Sequence, residues 1–225
     1  MNVVKRGRGI RWKLVFIYVL LVFIATTIIG VFIMKQLETY YVNSTRINMT
    51  NTVQEGTLIT SLNSYKNLWD HREEIQGNID AWAKSLQQEI FVVDDSFIIV
   101  ASNNANQGKS AVDLLDQNII LRGLSGEVSE SEDTIRGQNK SIPVMNMVFP
   151  IGKDDKVTGV LYLRSDMSSV AATIDQSKII FVKAMLIAVA VTIILGFLIS
   201  KSITEPINDV TEKAKRMAQG DFSQE

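Results

Sequence analysis

The sequence predicts an α+β fold, in which an antiparallel sheet with a long N-terminal helix is flanked by two transmembrane α-helices and followed by an amphipathic helix. Two long apolar runs, Leu14 to Met34 and Ile179 to Ser200, bracket a more polar middle part. Within residues 35–178 the apolar residues first recur at helical spacing and then alternate as they do in strands. That order favours an antiparallel sheet with helices packed on one face.

Both apolar runs are long enough to cross a bilayer. Leu14 to Met34 holds 21 residues without a charge, and the second run holds one charge, Lys183, near its start. At about 1.5 Å per residue the first run spans roughly 31 Å, which matches a hydrocarbon core of about 30 Å. A cleaved signal peptide has a shorter apolar core followed by a small-residue cleavage site, so we predict an uncleaved anchor.

Charge segregation predicts the orientation of the chain. Residues 1–13 carry five basic residues and no acidic one, and the basic residues Lys201, Lys213, Lys215 and Arg216 follow the second run. The positive-inside rule therefore predicts that both termini are cytoplasmic and that residues 35–178 are extracellular. Since the basic tip adjoins a span, it favours an orientation signal over nucleic-acid binding. The predicted parts are the N-terminus (1–13), span 1 (14–34), the sensor domain (35–178), span 2 (179–200) and a C-terminal segment (201–225).

Two helices are predicted ahead of the strands. The first continues out of span 1, since apolar and small residues recur at or near helical spacing at Leu37, Tyr40, Ser44, Ile47, Leu58 and Leu62. The second covers 70–88, where one face carries Ile75, Ile79, Trp82 and Leu86. The polarity of the first helix predicts that it packs on the domain or on a second copy of the chain.

Five strands and a third helix are predicted after these two helices. The strands are Glu89 to Val93, Ser96 to Ser102, and residues 126–131, 140–151 and 156–164. Asp94-Asp95 and Asp154-Asp155 are interpreted as hairpin turns rather than calcium ligands. The third helix is predicted over 111–123, with Ser110 as its N-cap and Gly123 as its C-terminal stop.

No catalytic constellation is found in residues 1–225. The chain has no cysteine and one histidine, His71, so a transition-metal site is not expected, and none of these residues is assigned a cofactor. His71 is interpreted as a solvated helix residue. Gly108-Lys109-Ser110 resembles the end of a phosphate-binding loop, but Asn103 stands where that motif needs glycine.

A small anionic ligand is one open possibility for the extracellular domain. Arg122, Arg136 and Lys140 are the weak candidates for binding it. The alternative is that these three cations are surface charges and that the domain senses a protein or the cell wall.

The C-terminal segment is predicted to relay a signal. Pro206 suits the first turn of a helix, with Thr204 or Glu205 as its cap. A heptad-like apolar seam follows, and a glycine then stops the helix; the relay candidates are Pro206, Ile207, Val210, Ala214, Met217 and Gly220. So short a seam needs partner helices, although a helix lying on the lipid surface is the alternative.

Two parts of the chain resemble known signalling modules. Residues 36–175, through "FVVDDSFIIVASNN", "QGKSAVDLL", "LSGEVSES" and "FPIGKDDKVTGVLYLRSDMSSV", resemble the extracellular single Cache domain, a PAS-like sensor fold. "SKSITEPINDVTEKAKRMAQGDFSQE" resembles the first helix of a HAMP domain and the start of its connector. The second HAMP helix is not contained in residues 1–225.

The whole chain resembles the N-terminal half of WalK-type (YycG-type) sensor histidine kinases, and "RWKLVFIYVLLVFIATTIIGVFIMKQLETYY" resembles their first span. This resemblance implies a homodimer in the cell membrane and a kinase domain that uses ATP and Mg²⁺ to phosphorylate a histidine and then a response regulator. The same front half also serves methyl-accepting chemoreceptors and membrane cyclases or phosphatases, which remain the alternatives.

Overall fold

The computed structural model describes residues 5–55, 58–83, 88–136, 141–153 and 156–218. Its helices are α1 (Lys5–Glu55), α2 (Leu58–Leu62), α3 (Arg72–Ala83), α4 (Gln117–Leu124) and α5 (Ser168–Ala218), with a 3-10 helix at Trp69–His71. Its strands are β1 (Gln88–Asp94), β2 (Ile99–Ser102), β3 (Ser129–Arg136), β4 (Ser141–Lys153) and β5 (Lys156–Asp166). The chain forms two units, the sheet domain Glu38–Thr173 and a helical unit made of Met1–Leu37 and Ile174–Glu225.

The five strands form one antiparallel sheet in the order β2-β1-β5-β4-β3, so the predicted α+β fold is confirmed. β5 is the central strand of this sheet. The β1–β2 turn is stabilised by the Asp94 carboxylate, which accepts hydrogen bonds from the backbone N–H groups of Ser96 at 2.9 Å and Ile98 at 2.8 Å. This is the turn chemistry predicted for Asp94-Asp95.

Helices pack on both faces of the sheet, so the prediction of helices on one face is wrong. On one face, residues of α1, α2 and α3 join the strands in a core that includes Met49, Leu62, Ile75, Ile79 and Leu161. On the other face, α4 and the segment before it form a second core with Phe91, Ile99, Ile119, Val160 and Tyr162. Because β1 and β5 alternate buried residues between these two cores, both strands read as continuous apolar runs.

The third helix begins later than predicted. α4 starts after Asp116, whose carboxylate caps it by accepting from Asn118 N at 2.9 Å, and not after Ser110. Residues 111–116 form turns instead, because Ala111 N donates to Phe97 O at 2.8 Å and Ile98 bridges to Ser110. Pairing of this segment beside β2 therefore outweighs its local helical preference.

Gly123 lies inside α4 and does not end it. A Cβ atom on Gly123 would lie 2.3 Å from Val148 Cγ1 and 2.7 Å from Val160 Cγ1, so glycine lets the helix approach the sheet. The stop is Gly126, with φ +93°. Gly126 N donates to Gly123 O and Glu127 N to Arg122 O, which is the Schellman pattern.

Other boundaries shift by a few residues. The second helix, predicted over 70–88, is a 3-10 turn followed by α3, and Gln88 already belongs to β1. The strand predicted at 126–131 is β3, Ser129–Arg136, and the strand predicted from Ser96 begins at Ile99. Asp154-Asp155 lies outside the described residues, although β4 and β5 pair up to Lys153 and Lys156 on either side.

The helical unit contains two segments long and apolar enough to cross a membrane. They lie within Val15–Gln54 and Ser168–Ile199, with mean hydropathies of 2.8 and 2.7. Phe181 packs against Gly30, and the rings of Trp12 and Phe197 meet edge to face with centroids 5.1 Å apart. The first helix continues without a break to Glu55, as the sequence predicts.

No new helix begins at Pro206, so the predicted start there, with Thr204 or Glu205 as its cap, is wrong. Pro206 is an interior residue of α5, which runs from Ser168 to Ala218. Since proline has no N–H, the helix lacks the backbone hydrogen bond to the carbonyl of Ser202. Pro206 is therefore a weak point within a continuous helix.

Candidate functional site

Arg164, near the end of β5, connects three other parts of the sheet domain. Its Nη1 donates to Glu89 Oε2 of β1 at 3.2 Å, and its Nε donates to Asn146 Oδ1 of β4 at 3.2 Å. Its Nη2 donates to the carbonyl of Leu114, in the segment before α4, at 2.8 Å. The side chain is only 11% exposed, so these acceptors compensate for the cost of removing the guanidinium from water.

Two aromatic rings also lie close to the Arg164 guanidinium. Arg164 Cζ lies 5.5 Å from the ring centroid of Phe91 and 5.7 Å from that of Tyr162. The two rings meet edge to face, and the Tyr162 hydroxyl accepts from Asp116 N at 3.4 Å. Burial raises the pKa of Tyr162 above its ordinary value, and the positive charge of Arg164 opposes this shift.

Beside Arg164 a cleft of about 330 Å³ opens at the end of the sheet from which β5 leads into α5. Its lining includes Glu89, Ile135, Ile142, Val144, Arg164 and Asp166. The Asp166 carboxylate accepts from Ser168 N at 2.7 Å, where α5 begins. One residue of the cleft wall, Asp166, is therefore hydrogen-bonded to the first residue of α5.

The sheet domain is similar in sequence to sensor domains of known proteins. Residues 74–165 match the family model described as the WalK sensor protein kinase Cache domain. "Sensor protein kinase WalK" of Staphylococcus aureus, strains JH9 and Newman, is 28% identical over 232 aligned residues, which cover 100% of this chain and 37% of the relative. This chain carries a WalK-like sensor region.

The fold of the WalK-like region also occurs among solved sensor domains. The sensory domain of the Campylobacter jejuni chemoreceptor Tlp3 with isoleucine bound matches with a TM-score of 0.51 at 10% identity, over 70% of this chain and 66% of that one. The Tlp3 ligand-binding domain in complex with L-valine gives 0.50, with the same identity and coverage. At such low identity the match concerns the fold alone. Together with the WalK relatives, the two apolar helices indicate a membrane protein with an extracellular sensor domain.

Arg122 and Arg136, two of the three predicted anion ligands, are not among the described residues that line the cleft of the WalK-like region. Arg122 is exposed on α4 and Arg136 is exposed at the end of β3. Lys140 lies outside the described residues. Anion binding by these three residues stays a prediction.

The relay residues of the C-terminal segment lie on α5 or beyond the described part. Ile207 and Val210 are 58% and 67% exposed, and Ala214 is exposed as well. Met217 lies in α5, although its side chain is not described, and Gly220 lies outside the described residues. The exposed apolar residues fit a seam that needs a partner, and their relay role stays a prediction.

Other residues singled out in the sequence occupy surface positions. His71, in the 3-10 helix, has a half-exposed side chain whose Nδ1 lies 3.7 Å from Glu74 Oε2. Gly108 adopts φ +79° in a turn, and its N–H donates to Ile99 O. Within the described ranges, no three or more histidine, cysteine or acidic side chains group to hold a metal ion.

Arg164 is not one of the site residues that the sequence predicts. Alternation along "GVLYLR" places Val160, Tyr162 and Arg164 on one face of β5. A charged residue at a buried register position is rare unless it is paired. The charge of Arg164 within this apolar pattern is the feature of the sequence that could have identified it. The residue paired with Arg164 in β1 is Glu89.

Replacing Tyr162 by phenylalanine should reduce the amount by which the stability of the sheet domain falls as the pH rises above about 10. A raised pKa means that the folded domain keeps the phenolic proton more tightly than the unfolded chain. The contribution of this group is therefore fully present below pH 10.0, the ordinary pKa, and is lost as pH rises through the higher folded value. Thermal unfolding from pH 8 to 11 tests this. Tyr40→Phe, at a side chain 65% exposed, is the control, and equal slopes in the two variants would contradict the prediction.

Proposed function

We propose that this chain is the sensor and transmembrane signalling portion of a two-component sensor histidine kinase. The observation that carries the proposal is that the central strand of the sheet leads directly into a transmembrane candidate. Only Met167 separates β5 from α5, which runs unbroken through the second apolar run to Ala218. A change in the sheet can therefore reach α5 with little slack in the chain.

The whole-chain match to WalK proteins supports a kinase over the alternative outputs. The chain spans about a third of the length of those relatives, 37%, so the kinase activity itself is part of the proposal. Its kinase domain would use ATP and Mg²⁺ to phosphorylate a histidine, and the phosphoryl group would pass to a cytoplasmic response regulator. Residues 201–225 would form the first half of a HAMP domain.

The proposed orientation has both termini in the cytoplasm. It is supported by the basic residues of 1–13 and by those that follow the second apolar run. The proposed working unit is a homodimer. It is supported by the exposed apolar residues Ile207 and Val210, which need a partner surface within a bundle.

Autophosphorylation of the full-length protein tests the proposed output. The protein in vesicles is incubated with labelled ATP and Mg²⁺, and acid-labile phosphate is measured on the protein and then on a response regulator. We expect both to be labelled. Unlabelled full-length protein that instead drives a separate kinase would indicate a chemoreceptor, and nucleotide cyclisation would indicate a cyclase.

A flexible insert after Ser200 should uncouple the sensor from the output. Seven glycine and serine residues there would interrupt α5 ahead of Pro206. Response-regulator phosphorylation should then stop changing between two growth conditions in which the wild-type levels differ. A seven-residue helix-forming insert is the matched control, because it extends the helix by about two turns and rotates it by only about 20°. If response-regulator phosphorylation still changed between the two conditions in the variant with the flexible insert, the proposed relay through α5 would be contradicted.

A further inference from the structure

We propose that the cleft beside Arg164 binds a small organic ammonium ion with a short aliphatic body. Binding itself is independent of the output domain, whereas its effect on signalling rests on the proposed function. The site is formed by sheet residues at the end of the domain that leads into α5. It lies next to the core around Phe91 and Tyr162, which side chains already fill.

The size and floor of the cleft suit a small aliphatic group. Its volume of about 330 Å³ is near the lower end of the range for small-molecule sites. Ile135 and Ile142 are directly paired between β3 and β4, and Val144 is buried two residues further along β4. Ile135 and Ile142 are only partly buried, so a ligand that covers them would remove apolar surface from water.

The charges of the cleft favour a cation. Among the described lining residues, Glu89 and Asp166 carry one negative charge each and Arg164 carries one positive charge, which gives these residues a net charge of −1. Arg164 already donates to Glu89, Asn146 and Leu114, and its side chain is mostly buried. An incoming anion would find the positive charge engaged and two carboxylates nearby.

Each carboxylate offers an oxygen to a ligand. Glu89 bonds Arg164 through Oε2, and Asp166 bonds Ser168 N through Oδ1. Within the described part of the chain, Glu89 Oε1 and Asp166 Oδ2 accept no further hydrogen bond. An ammonium group carries three N–H donors and matches such a pair of acceptors. A metal ion is less suited, because these two side chains are not joined by a third acidic or histidine ligand among the described residues.

Occupation of the cleft would act on the start of α5. Asp166 caps this helix through Ser168, and the adjacent Met167 N donates to Pro143 O of β4 at 2.8 Å. A cation bound at Asp166 would draw its carboxylate away from the first turn, where negative charge stabilises a helix. The ligand would thus have different affinities for two states of the β5–α5 junction, which is the requirement for a ligand that shifts an equilibrium between them.

Ligand-observed NMR on the full chain in phosphatidylglycerol nanodiscs tests binding. Isobutylammonium chloride is the test ligand. Isobutanol and sodium isobutyrate are the controls, because they have a similar branched aliphatic group but no positive charge. We expect saturable binding of isobutylammonium that the two analogues do not displace. Absence of saturable binding, or equal binding of isobutanol, would overturn the proposal.

Conservative variants tie binding to the two carboxylates. Glu89→Gln keeps an acceptor for Arg164, and Asp166→Ser keeps a helix cap while removing the charge. The double variant should bind isobutylammonium at least about tenfold more weakly, a loss of about 1.4 kcal/mol. Glu127→Gln, at an exposed residue after α4, should bind as the wild type does. Unchanged affinity in a double variant that keeps the wild-type unfolding temperature would refute the assignment.

The source of the amine is tested by changing the lipid. Nanodiscs containing phosphatidylethanolamine present the same ammonium chemistry as a headgroup. We expect the affinity for isobutylammonium to be unchanged, which supports a soluble ligand. A lower affinity would mean that the headgroup competes, and it would overturn the assignment to a soluble amine. Neither result depends on ATP, so failure of the kinase proposal leaves the binding result intact.

Discussion

Replacing Gly123 by alanine should destabilise the sheet domain, although alanine is the better helix former. The new Cβ atom would lie 2.3 Å and 2.7 Å from methyl groups of Val148 and Val160. Both valines are fully buried, and their short, stiff side chains cannot swing away. Overpacking of this kind costs about 1–3 kcal/mol of unfolding free energy. We expect the cost to exceed the helix-propensity gain of about 1 kcal/mol.

Gly77→Ala is the matched control for this prediction. Gly77 lies inside α3 and is exposed, and a Cβ atom there would meet no other atom within 4 Å, so the same change is free of steric overlap. It should raise the unfolding free energy by up to about 1 kcal/mol. Chemical unfolding of the two variants, followed by tryptophan fluorescence, compares the signs. Stabilisation by both changes would show that α4 can move away from the sheet without loss.

The predictable parts of this fold are those in which local pattern and tertiary packing agree. β1 and β5 are continuous apolar runs because each is covered on both faces. α1 follows from an uncharged run that continues into helical spacing without proline. The Asp94 turn follows from the preference of aspartate for bonding nearby backbone N–H groups.

The start of α4 could not be predicted, because distant contacts determine it. Ala111 and Leu115 stand at helical spacing, but their segment is tied to the β1–β2 hairpin by the hydrogen bond from Ala111 N to Phe97 O. The sequence predicts Gly123 as the end of the helix, because glycine commonly ends helices. The approach of the helix to Val148 and Val160, which is the real requirement for glycine, is visible only in three dimensions.

The candidate site was predictable only in part. Arg122, Arg136 and Lys140 are the predicted anion ligands, but Arg122 and Arg136 are exposed, and Lys140 lies outside the described residues. Arg164 is the last residue of the strand predicted at 156–164, and a charge in that position is usually interpreted as the boundary of a strand. Its buried register position relative to Tyr162 was available from the sequence, but its acceptors on β1, β4 and the segment before α4 depend on strand order.

Replacing Gly30 by leucine should weaken the packing of α1 on α5 within the helical unit. A Cβ atom on Gly30 would lie 1.9 to 2.6 Å from the ring of Phe181. In lipid, helices associate through close packing rather than through burial from water, so small residues at the contact matter most. An alanine methyl could be accommodated by a swing of the flexible ring, whereas leucine requires the helices to separate or the ring to leave.

Cysteine cross-linking measures this packing cleanly, because the chain has no native cysteine. Thr27 and Met185 face each other, with Oγ1 and Sδ 4.0 Å apart, so cysteines introduced at both positions report the contact. Gly30→Leu should lower the cross-linking yield severalfold, and adding Phe181→Ala should restore it by vacating the space. Gly196→Ala, whose Cβ would make only ordinary contacts of 3.4 to 3.7 Å with Val15, should leave the yield unchanged. If Phe181→Ala failed to rescue Gly30→Leu, the effect would have to arise from a contact other than this pair.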